Sequence, residues 1–223
     1  MTGVLLIHGF AGARYEVRPL YDYLKERGYP VAMPLLAGHE GTKADLAKST
    51  YHQWIASADE AYCALRKECS EVAVIGFSMG GLIAVQLYQK YRYLALVTVN
   101  TPVYYWNLIK IMENLKSNFR VYAKKYFNSG TDKPVSALVE FEKILKKTKP
   151  LFRLLDCPLL VVQTQDDDVV KPKSGEYIFQ NATGCREMLR VDRGGHIVLP
   201  TDSFAQIADA VLDFLKRAGR EEE

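Results

Sequence analysis

The sequence predicts an α/β protein whose mostly parallel sheet has about six strands, with helices on both of its faces. Two observations predict it. Short apolar runs rich in β-branched residues recur along the chain, and most segments between them carry apolar residues at three- and four-residue spacing. The first pattern is typical of strands buried on both faces, and the second of amphipathic helices. Strands that alternate with helices form βαβ units, which build a parallel sheet through right-handed crossovers.

The composition fits one folded, soluble domain. The chain has 223 residues, of which 48 % are hydrophobic and 25 % charged, and values near the globular average exclude a disordered or fibrous chain. A net charge of +3 is too small for the footprint of a nucleic-acid-binding protein, so we expect no nucleic-acid partner. The four cysteines are far apart and form no Cys-x-x-Cys pair, so we expect reduced thiols and no metal site.

The sequence predicts no stable membrane insertion. The apolar run nearest the start covers only residues 4–7, and no basic stretch precedes it. A membrane span needs about 18 apolar residues, and a secretory signal needs a basic region before its apolar one. We therefore expect a cytoplasmic protein, present as a monomer or a weak homodimer.

The predicted strands are the short apolar runs. They cover residues 4–7, 31–33, 72–77, 94–99, 159–163 and 188–191. Ligands of a parallel sheet bind at the carboxyl ends of its strands. We therefore expect functional residues directly after these runs.

Three predicted helices carry clear apolar stripes. The first ends before Gly28, the second opens with a capping box between Thr50 and Gln53, and the last follows the capping candidates Asp202 and Ser203. In chain order the stripes are Val17, Leu20 and Leu24; Trp54, Ala58, Ala61 and Leu65; and Phe204, Ile207, Ala208, Val211 and Leu215.

Residues 106–150 interrupt the alternation, because they contain two helical stripes and no strand pattern. We interpret them as a helical insertion over the sheet. From residue 107 to residue 150 there are ten Lys or Arg against four Asp or Glu. A solvated helix face explains this excess, and attraction of anionic substrates or lipid head groups is the alternative.

Residues 76–80 read Gly-Phe-Ser-Met-Gly, directly after an apolar strand and before a helical run at residues 82–88. A Gly-x-Ser-x-Gly pentapeptide alone is weak evidence. Strand, turn and helix in this order, however, describe a nucleophile elbow, in which the glycines let the backbone turn sharply and expose the serine hydroxyl. Ser78 is therefore the candidate nucleophile, and a glycine-rich turn with an incidental serine is the alternative.

A serine nucleophile needs a base to accept its proton and an acid to orient that base. His196 fits the base, because it follows the sixth predicted strand in the turn Arg-Gly-Gly-His. The acid should follow the strand at residues 159–163, where Asp166, Asp167 and Asp168 are adjacent. We choose Asp167, because residues 167–170 then read as an acid, a spacer and two apolar anchoring residues. We expect the other two aspartates to cap or stabilise the turn.

The reaction also needs two backbone N–H groups that hold the oxyanion. Met79, which follows the nucleophile, supplies one by geometry. The second should come from the loop after the first strand, where residues 8–12 read His-Gly-Phe-Ala-Gly, and Phe10 is the expected donor. We interpret His8 and His39 as residues that shape loops.

Together these residues resemble the α/β-hydrolase superfamily and, within it, the small bacterial carboxylesterases and monoacylglycerol lipases. The resemblance runs over nearly the whole chain, through residues 5–10, 38–41, 76–81, 161–167 and 195–196. The chain order Ser78, Asp167, His196 matches the family's order of nucleophile, acid and base, and gives each residue the same role.

The resemblance implies an α/β-hydrolase core at residues 1–101 and 153–223, with a small helical cap at residues 102–152 that forms the acyl pocket. Family members usually carry one or two antiparallel strands before the strand that leads to His8. That strand lies close to the first residue here, so we expect a sheet trimmed to about six strands.

These observations predict a serine carboxylic-ester hydrolase that cleaves short- to medium-chain acyl esters of small molecules and needs no cofactor or metal ion. Candidate substrate-binding residues are Tyr104, Trp106, Leu108 and Met112, although simple packing between cap and core is an alternative for this apolar stripe. Other enzymes on the same triad remain open: a monoacylglycerol lipase, a thioesterase, an aryl or cinnamoyl esterase, or a carbon–carbon bond hydrolase. From another class, a non-catalytic receptor of the same fold is the alternative.

Overall fold

The structure is a computed structural model that describes residues 1–105 and 134–219. Within them lies one six-stranded sheet in which all neighbouring strands pair in parallel. The strands are β1 (Thr2–Ile7), β2 (Val31–Ala32), β3 (Glu71–Phe77), β4 (Leu96–Val99), β5 (Leu159–Thr164) and β6 (Arg186–Val191), in the order β2-β1-β3-β4-β5-β6 across the sheet. The predicted parallel sheet of about six strands is confirmed.

Seven α-helices lie in the described part of the chain. They are α1 (Arg18–Glu26), α2 (Lys43–Lys48), α3 (Tyr51–Glu68), α4 (Met79–Tyr88), α5 (Val135–Thr148), α6 (Lys173–Asn181) and α7 (Phe204–Ala218). The capping box between Thr50 and Gln53 opens α3 as predicted. Ser203 is the N-cap of α7, but its hydroxyl donates to the Arg193 carbonyl instead of capping the helix.

The alternating side chains of β1 show how the sheet separates two cores. Leu5 and Ile7 belong to a buried cluster with residues of α3, α4 and α5. Val4 and Leu6 point to the other face, into a cluster with residues of α1 and α7. Because both faces are covered by helices, the strands in the middle of the sheet are apolar along most of their length.

The strand at one edge of the sheet departs from the predicted burial. We expected all the strands to be buried on both faces, but in β6 only Val191 is fully buried. Arg186, Glu187 and Arg190 are exposed there. An edge strand has a neighbour on one side only, and charged side chains protect it from pairing with another chain.

Only the second half of the predicted insertion lies within the described residues. Its second helical stripe forms α5, in which Ala137, Phe141 and Ile144 are buried in the same cluster as α3 and α4. The first stripe lies outside the described residues, and the division into core and cap stays a prediction. None of the helices in the described ranges is long and apolar enough to cross a membrane.

Candidate active site

Ser78 stands on a sharp turn between the last residue of β3 and the first residue of α4. Its backbone has φ +51° and ψ −121°, a conformation that is rare and strained for a residue with a side chain. The Ser78 N–H donates to the Val99 carbonyl at 2.8 Å. A Cβ at Gly80 would overlap the Ile7 carbonyl in β1, and a Cβ at Gly76 would overlap the first turn of α4. Both glycines are therefore required for the turn to pack against the sheet.

Three of the predicted site residues form one hydrogen-bonded chain. The distance from His196 Nε2 to Ser78 Oγ is 3.0 Å, and the distance from His196 Nδ1 to Asp167 Oδ2 is 2.9 Å. All three residues are buried, with 7 % of Ser78, 6 % of His196 and 4 % of Asp167 exposed. They come together because β3, β5 and β6 are parallel, so the loops that follow these strands meet at one edge of the sheet.

The partners of His196 define which of its ring nitrogens carries the proton. The Asp167 carboxylate can only accept, so Nδ1 carries a proton and Nε2 is free to accept the hydroxyl proton of Ser78. Burial lowers the pKa of His196, but the nearby charge of Asp167 and the hydrogen bond to it more than offset burial and raise that pKa above 6.5. The imidazole can therefore act as a base, and its protonated form is stabilised in place.

The three adjacent aspartates have different surroundings. Asp167 is buried, and its second carboxylate oxygen accepts the backbone N–H groups of Val169 and Val170 at 2.9 and 2.8 Å. Asp166 is exposed and accepts the N–H groups of Gly194 and Gly195, at the start of the loop that carries the histidine. Asp168 is exposed. Of the three aspartates, Asp167 is therefore the one whose carboxylate meets the imidazole.

Sequence reasoning missed Asn100, a fully buried residue that directly follows β4. Its side-chain amide donates to the His196 carbonyl at 2.8 Å and to the Thr164 hydroxyl at 2.9 Å. Its amide oxygen accepts the Thr164 N–H at 2.9 Å. Asn100 thus ties the end of β5 to the loop that carries the histidine. Its place at the carboxyl end of a central strand was the available signal.

The two candidate oxyanion donors belong to two different turns, the elbow after β3 and the turn after β1. Met79 is the first residue of α4, and the N–H groups of a first helical turn have no partner within the helix. Phe10 lies on the turn after β1, where the next residue, Ala11, has φ +48°. The Ala11 N–H donates to His39 Nε2 at 3.0 Å. His39 therefore holds the turn, as its loop-shaping interpretation predicted.

His8 and Glu16 are buried beneath the same turn. The ring of His8 contacts the Gly9 carbonyl through Nδ1 and accepts the Leu36 N–H through Nε2. Burial lowers the pKa of His8 to about 4, so it is neutral near pH 7. Glu16 is 2 % exposed and accepts the Gly9 N–H at 3.0 Å. The sequence reasoning did not single out Glu16.

A small, mostly apolar cavity opens at Ser78. Its lining residues are Gly9, Phe10, Glu16, Phe77, Ser78, Pro102, Phe141, Val169, Val170 and His196. Tyr104 is half-buried and packs edge-on against Tyr177, and its role in substrate binding stays a prediction. Trp106, Leu108 and Met112 lie outside the described residues. Within residues 1–105 and 134–219, no three His, Cys, Asp or Glu side chains are grouped so that they could hold a metal ion.

Comparisons with known proteins show the family and the fold. The sequence profile of a family described as "alpha/beta hydrolase fold" matches residues 3–116. The chain is 28 % identical over 235 residues to a thermostable monoacylglycerol lipase of Bacillus sp. (strain H-257). The alignment covers 98 % of this chain and 92 % of that protein. It is 26 % identical over 227 residues to a carboxylesterase of Bacillus subtilis (strain 168), with 96 % and 92 % covered.

Solved structures share the fold. One structure reported for LipS and LipT, two metagenome-derived lipolytic enzymes, superposes with a TM-score of 0.84 over 97 % of this chain and 94 % of that chain, at 24 % identity. At this identity the likeness concerns the fold. It confirms the predicted arrangement of a parallel sheet between two layers of helices.

Proposed function

The chain belongs to the alpha/beta hydrolase fold family, and from this premise we propose that it cleaves short- to medium-chain carboxylic esters through an acyl-enzyme on Ser78. That it is an ester hydrolase follows from the family together with relatives named monoacylglycerol lipase and carboxylesterase, which match nearly its whole length. The observation that carries the finer proposal is the hydrogen-bonded chain from Ser78 through His196 to Asp167.

Acylation begins when Ser78 Oγ attacks the ester carbonyl carbon and its proton passes to His196 Nε2. The imidazolium that results lies 2.9 Å from the Asp167 carboxylate, which orients and stabilises it. The tetrahedral intermediate then collapses, and the bond to the alcohol breaks as His196 returns the proton to the leaving oxygen. Water repeats the two steps on the acyl-enzyme, so Ser78 and His196 end in their starting states.

The backbone N–H groups of Phe10 and Met79 are the proposed oxyanion donors. Each such donor contributes about 3–4 kcal/mol to the transition state in enzymes where one has been removed. Because both donors belong to the backbone, no substitution at these positions except proline deletes them. What changes them is the conformation of the turn after β1 and of the elbow itself.

The cavity lining supports an acyl chain of limited length. Phe10, Phe141, Val169 and Val170 give the space beside Ser78 an apolar surface, and burial of apolar area favours binding of an aliphatic chain by about 25 cal/mol for each Å². Because the cavity that the described residues form beside Ser78 is small, we expect a preference for short to medium chains.

A second candidate is monoacylglycerol hydrolysis. The observation that favours it is the likeness to the Bacillus monoacylglycerol lipase, at 28 % identity over 98 % of this chain. Both candidates use the same triad and differ in the alcohol that leaves and in the length of the acyl chain.

The experiment is a series of kcat/KM values for p-nitrophenyl esters from acetate to palmitate, beside monoacylglycerols and an acyl-CoA, with Ser78→Ala as the blank. A maximum at short or medium acyl length supports the carboxylesterase. A maximum on long-chain monoacylglycerol supports the second candidate, and preference for the acyl-CoA would make the protein a thioesterase. Absence of any turnover that depends on Ser78 would contradict the ester hydrolase.

A further inference from the structure

Glu16 is a buried carboxylate that no step of the reaction described above uses. It lies in a short 3-10 helix, Arg14–Glu16, soon after β1, and 2 % of it is exposed. A buried carboxylate is costly unless it accepts hydrogen bonds. Its Oε2 accepts the Gly9 N–H at 3.0 Å, so the side chain reaches back to the start of the turn that carries Phe10.

The turn from Gly9 to Gly12 is wrapped closely around this carboxylate. A Cβ at Gly9 would lie 3.0 Å from Glu16 Oε2, and a Cβ at Gly12 would overlap both carboxylate oxygens. Glycine at these two positions therefore lets the backbone pass over the charged group. Since Phe10 lies between them, the carboxylate supports the peptide that offers the proposed oxyanion donor.

The same carboxylate also reaches the reaction cavity. Glu16 lines it together with Ser78 and His196. The acidic groups whose charges act on the imidazole are Asp167 and Asp168, from the loop after β5, and Glu16, from the turn after β1. Asp166, from the loop after β5, is bound to the N–H groups of Gly194 and Gly195. Glu16 is the member of this set that approaches from the side of the oxyanion turn.

We propose that Glu16 is a positioning residue of this site, whose carboxylate fixes the Gly9–Gly12 turn for the oxyanion and whose negative charge stabilises the protonated form of His196. The inference rests on the proposed function, because it assigns a role in a reaction at Ser78. Two substitutions separate the support of the turn from the effect of the charge on His196. A glutamine at position 16 keeps an oxygen that can accept the Gly9 N–H but carries no charge, whereas an alanine loses both.

The test measures the reaction of Ser78 with a fluorophosphonate probe as a function of pH. In this reaction the Ser78 Oγ–phosphorus bond forms, the phosphorus–fluorine bond breaks, fluoride leaves and the serine proton passes to His196. The rate falls on the acid side, where His196 is already protonated. We call the part of the pH profile in which the rate falls with falling pH the acid limb. Because the charge of Glu16 raises the pKa of His196, removing that charge should lower the pKa and move the acid limb to lower pH.

For Glu16→Gln we expect an acid limb shifted to lower pH and a plateau rate within about threefold of the parent. For Glu16→Ala we expect the same direction of shift and a plateau rate lower by about tenfold or more, because the oxyanion turn loses its support. Thermal unfolding midpoints of all variants show whether each is folded at the assay temperature. A purely structural role would change these midpoints without moving the limb of the glutamine variant.

Glu40→Gln is the matched control. Glu40 is a half-buried carboxylate that forms a two-oxygen pair with Arg14, and removing its charge should leave the acid limb in place. The inference would be overturned if the acid limb of Glu16→Gln stayed in place, or if it moved by the same amount in Glu16→Gln and in Glu40→Gln. A parent protein that is not labelled at Ser78 would overturn the proposed function and, with it, this role. If the parent is labelled at Ser78 but all variants have the same pH profile, the inference is overturned and the proposed function is not.

Discussion

The Asn100 side-chain amide donates a hydrogen bond to the His196 backbone carbonyl at 2.8 Å. Asn100 follows β4, the strand that lies between β3, which leads to Ser78, and β5, which leads to Asp167. Its φ of +47° is one that asparagine tolerates better than most residues. A single side chain therefore connects the loop of the candidate base to the end of the strand that leads to the candidate acid.

Replacing Asn100 should lower kcat more than it raises KM. We choose Asn100→Gly, because glycine accepts a positive φ without strain and only the amide is lost. Without the amide the histidine loop can shift, and a misplacement of about 1 Å costs roughly 10- to 100-fold in rate. The Thr164 N–H also loses its acceptor, which costs about 1–3 kcal/mol of unfolding free energy. Steady-state kinetics and urea unfolding measure the two effects, and a kcat within twofold of the parent would limit Asn100 to a structural role.

The three aspartates should differ sharply in their effect on rate. Asp167→Asn places an amide where Nδ1 of His196 donates, which disfavours the required tautomer and should lower kcat by about 10³- to 10⁴-fold. Asp166→Asn and Asp168→Asn should keep kcat within about tenfold, because neither carboxylate meets the imidazole. In Asp166→Asn an amide oxygen can still accept the N–H groups of Gly194 and Gly195. A larger loss for either of these two than for Asp167→Asn would mean that the acid is wrongly assigned.

Burial of His8 should make the protein less stable in acid. The pKa of this residue is lowered from 6.5 to about 4 by burial, so below pH 6.5 the unfolded chain binds a proton that the folded chain does not. The stability it contributes is therefore present above pH 6.5 and lost as the pH falls towards 4, up to about 3 kcal/mol.

Urea unfolding at pH 7 and pH 4.5, for the parent and for His8→Gln, measures this contribution. The variant cannot titrate at position 8, so its stability should depend less on pH over this interval. His196 has a raised pKa and a contribution of opposite sign, which is common to both proteins and cancels in the difference. An equal pH dependence in both proteins would refute the role assigned to His8 burial.

The acyl pocket should respond to Phe141. This residue of α5 lines the cavity, and its ring lies 4.9 Å from that of Phe10. Phe141→Leu enlarges the cavity, so the acyl length with the highest kcat/KM should increase. Phe152→Leu is the matched control, because Phe152 is equally part of the buried cluster but does not line the cavity. If the two variants have the same chain-length profile, the cavity does not hold the acyl chain.

The strands and the three residues of the hydrogen-bonded chain could be predicted from the sequence because their signals are local. An apolar run is visible within a few residues. Ser78 follows such a run directly, and Asp167 and His196 lie within five residues of the end of theirs. Parallel pairing then brings the ends of the runs to one edge. The order of the strands, the turn glycines and the residues that follow the three aspartates were enough to expect these residues together.

The residues that were missed act through contacts which the sequence does not display. Asn100 and His196 are 96 positions apart, and an asparagine after a strand is more often a turn residue. Glu16 acts because the chain folds back over its carboxylate, which depends on the backbone of two glycines. Helix α6 was missed because only Ser174, Gly175 and Ile178 are buried in it, which leaves too weak an apolar stripe.

The central claim is that an acyl group passes through Ser78. The direct measurement is rapid quenching of the protein during turnover of a p-nitrophenyl ester, followed by mass spectrometry of its peptides. We predict a mass increase equal to the acyl group on the peptide that contains Ser78, and neither the increase nor turnover in Ser78→Ala. Turnover that persists in Ser78→Ala, or an acyl group attached to another residue, would contradict the account.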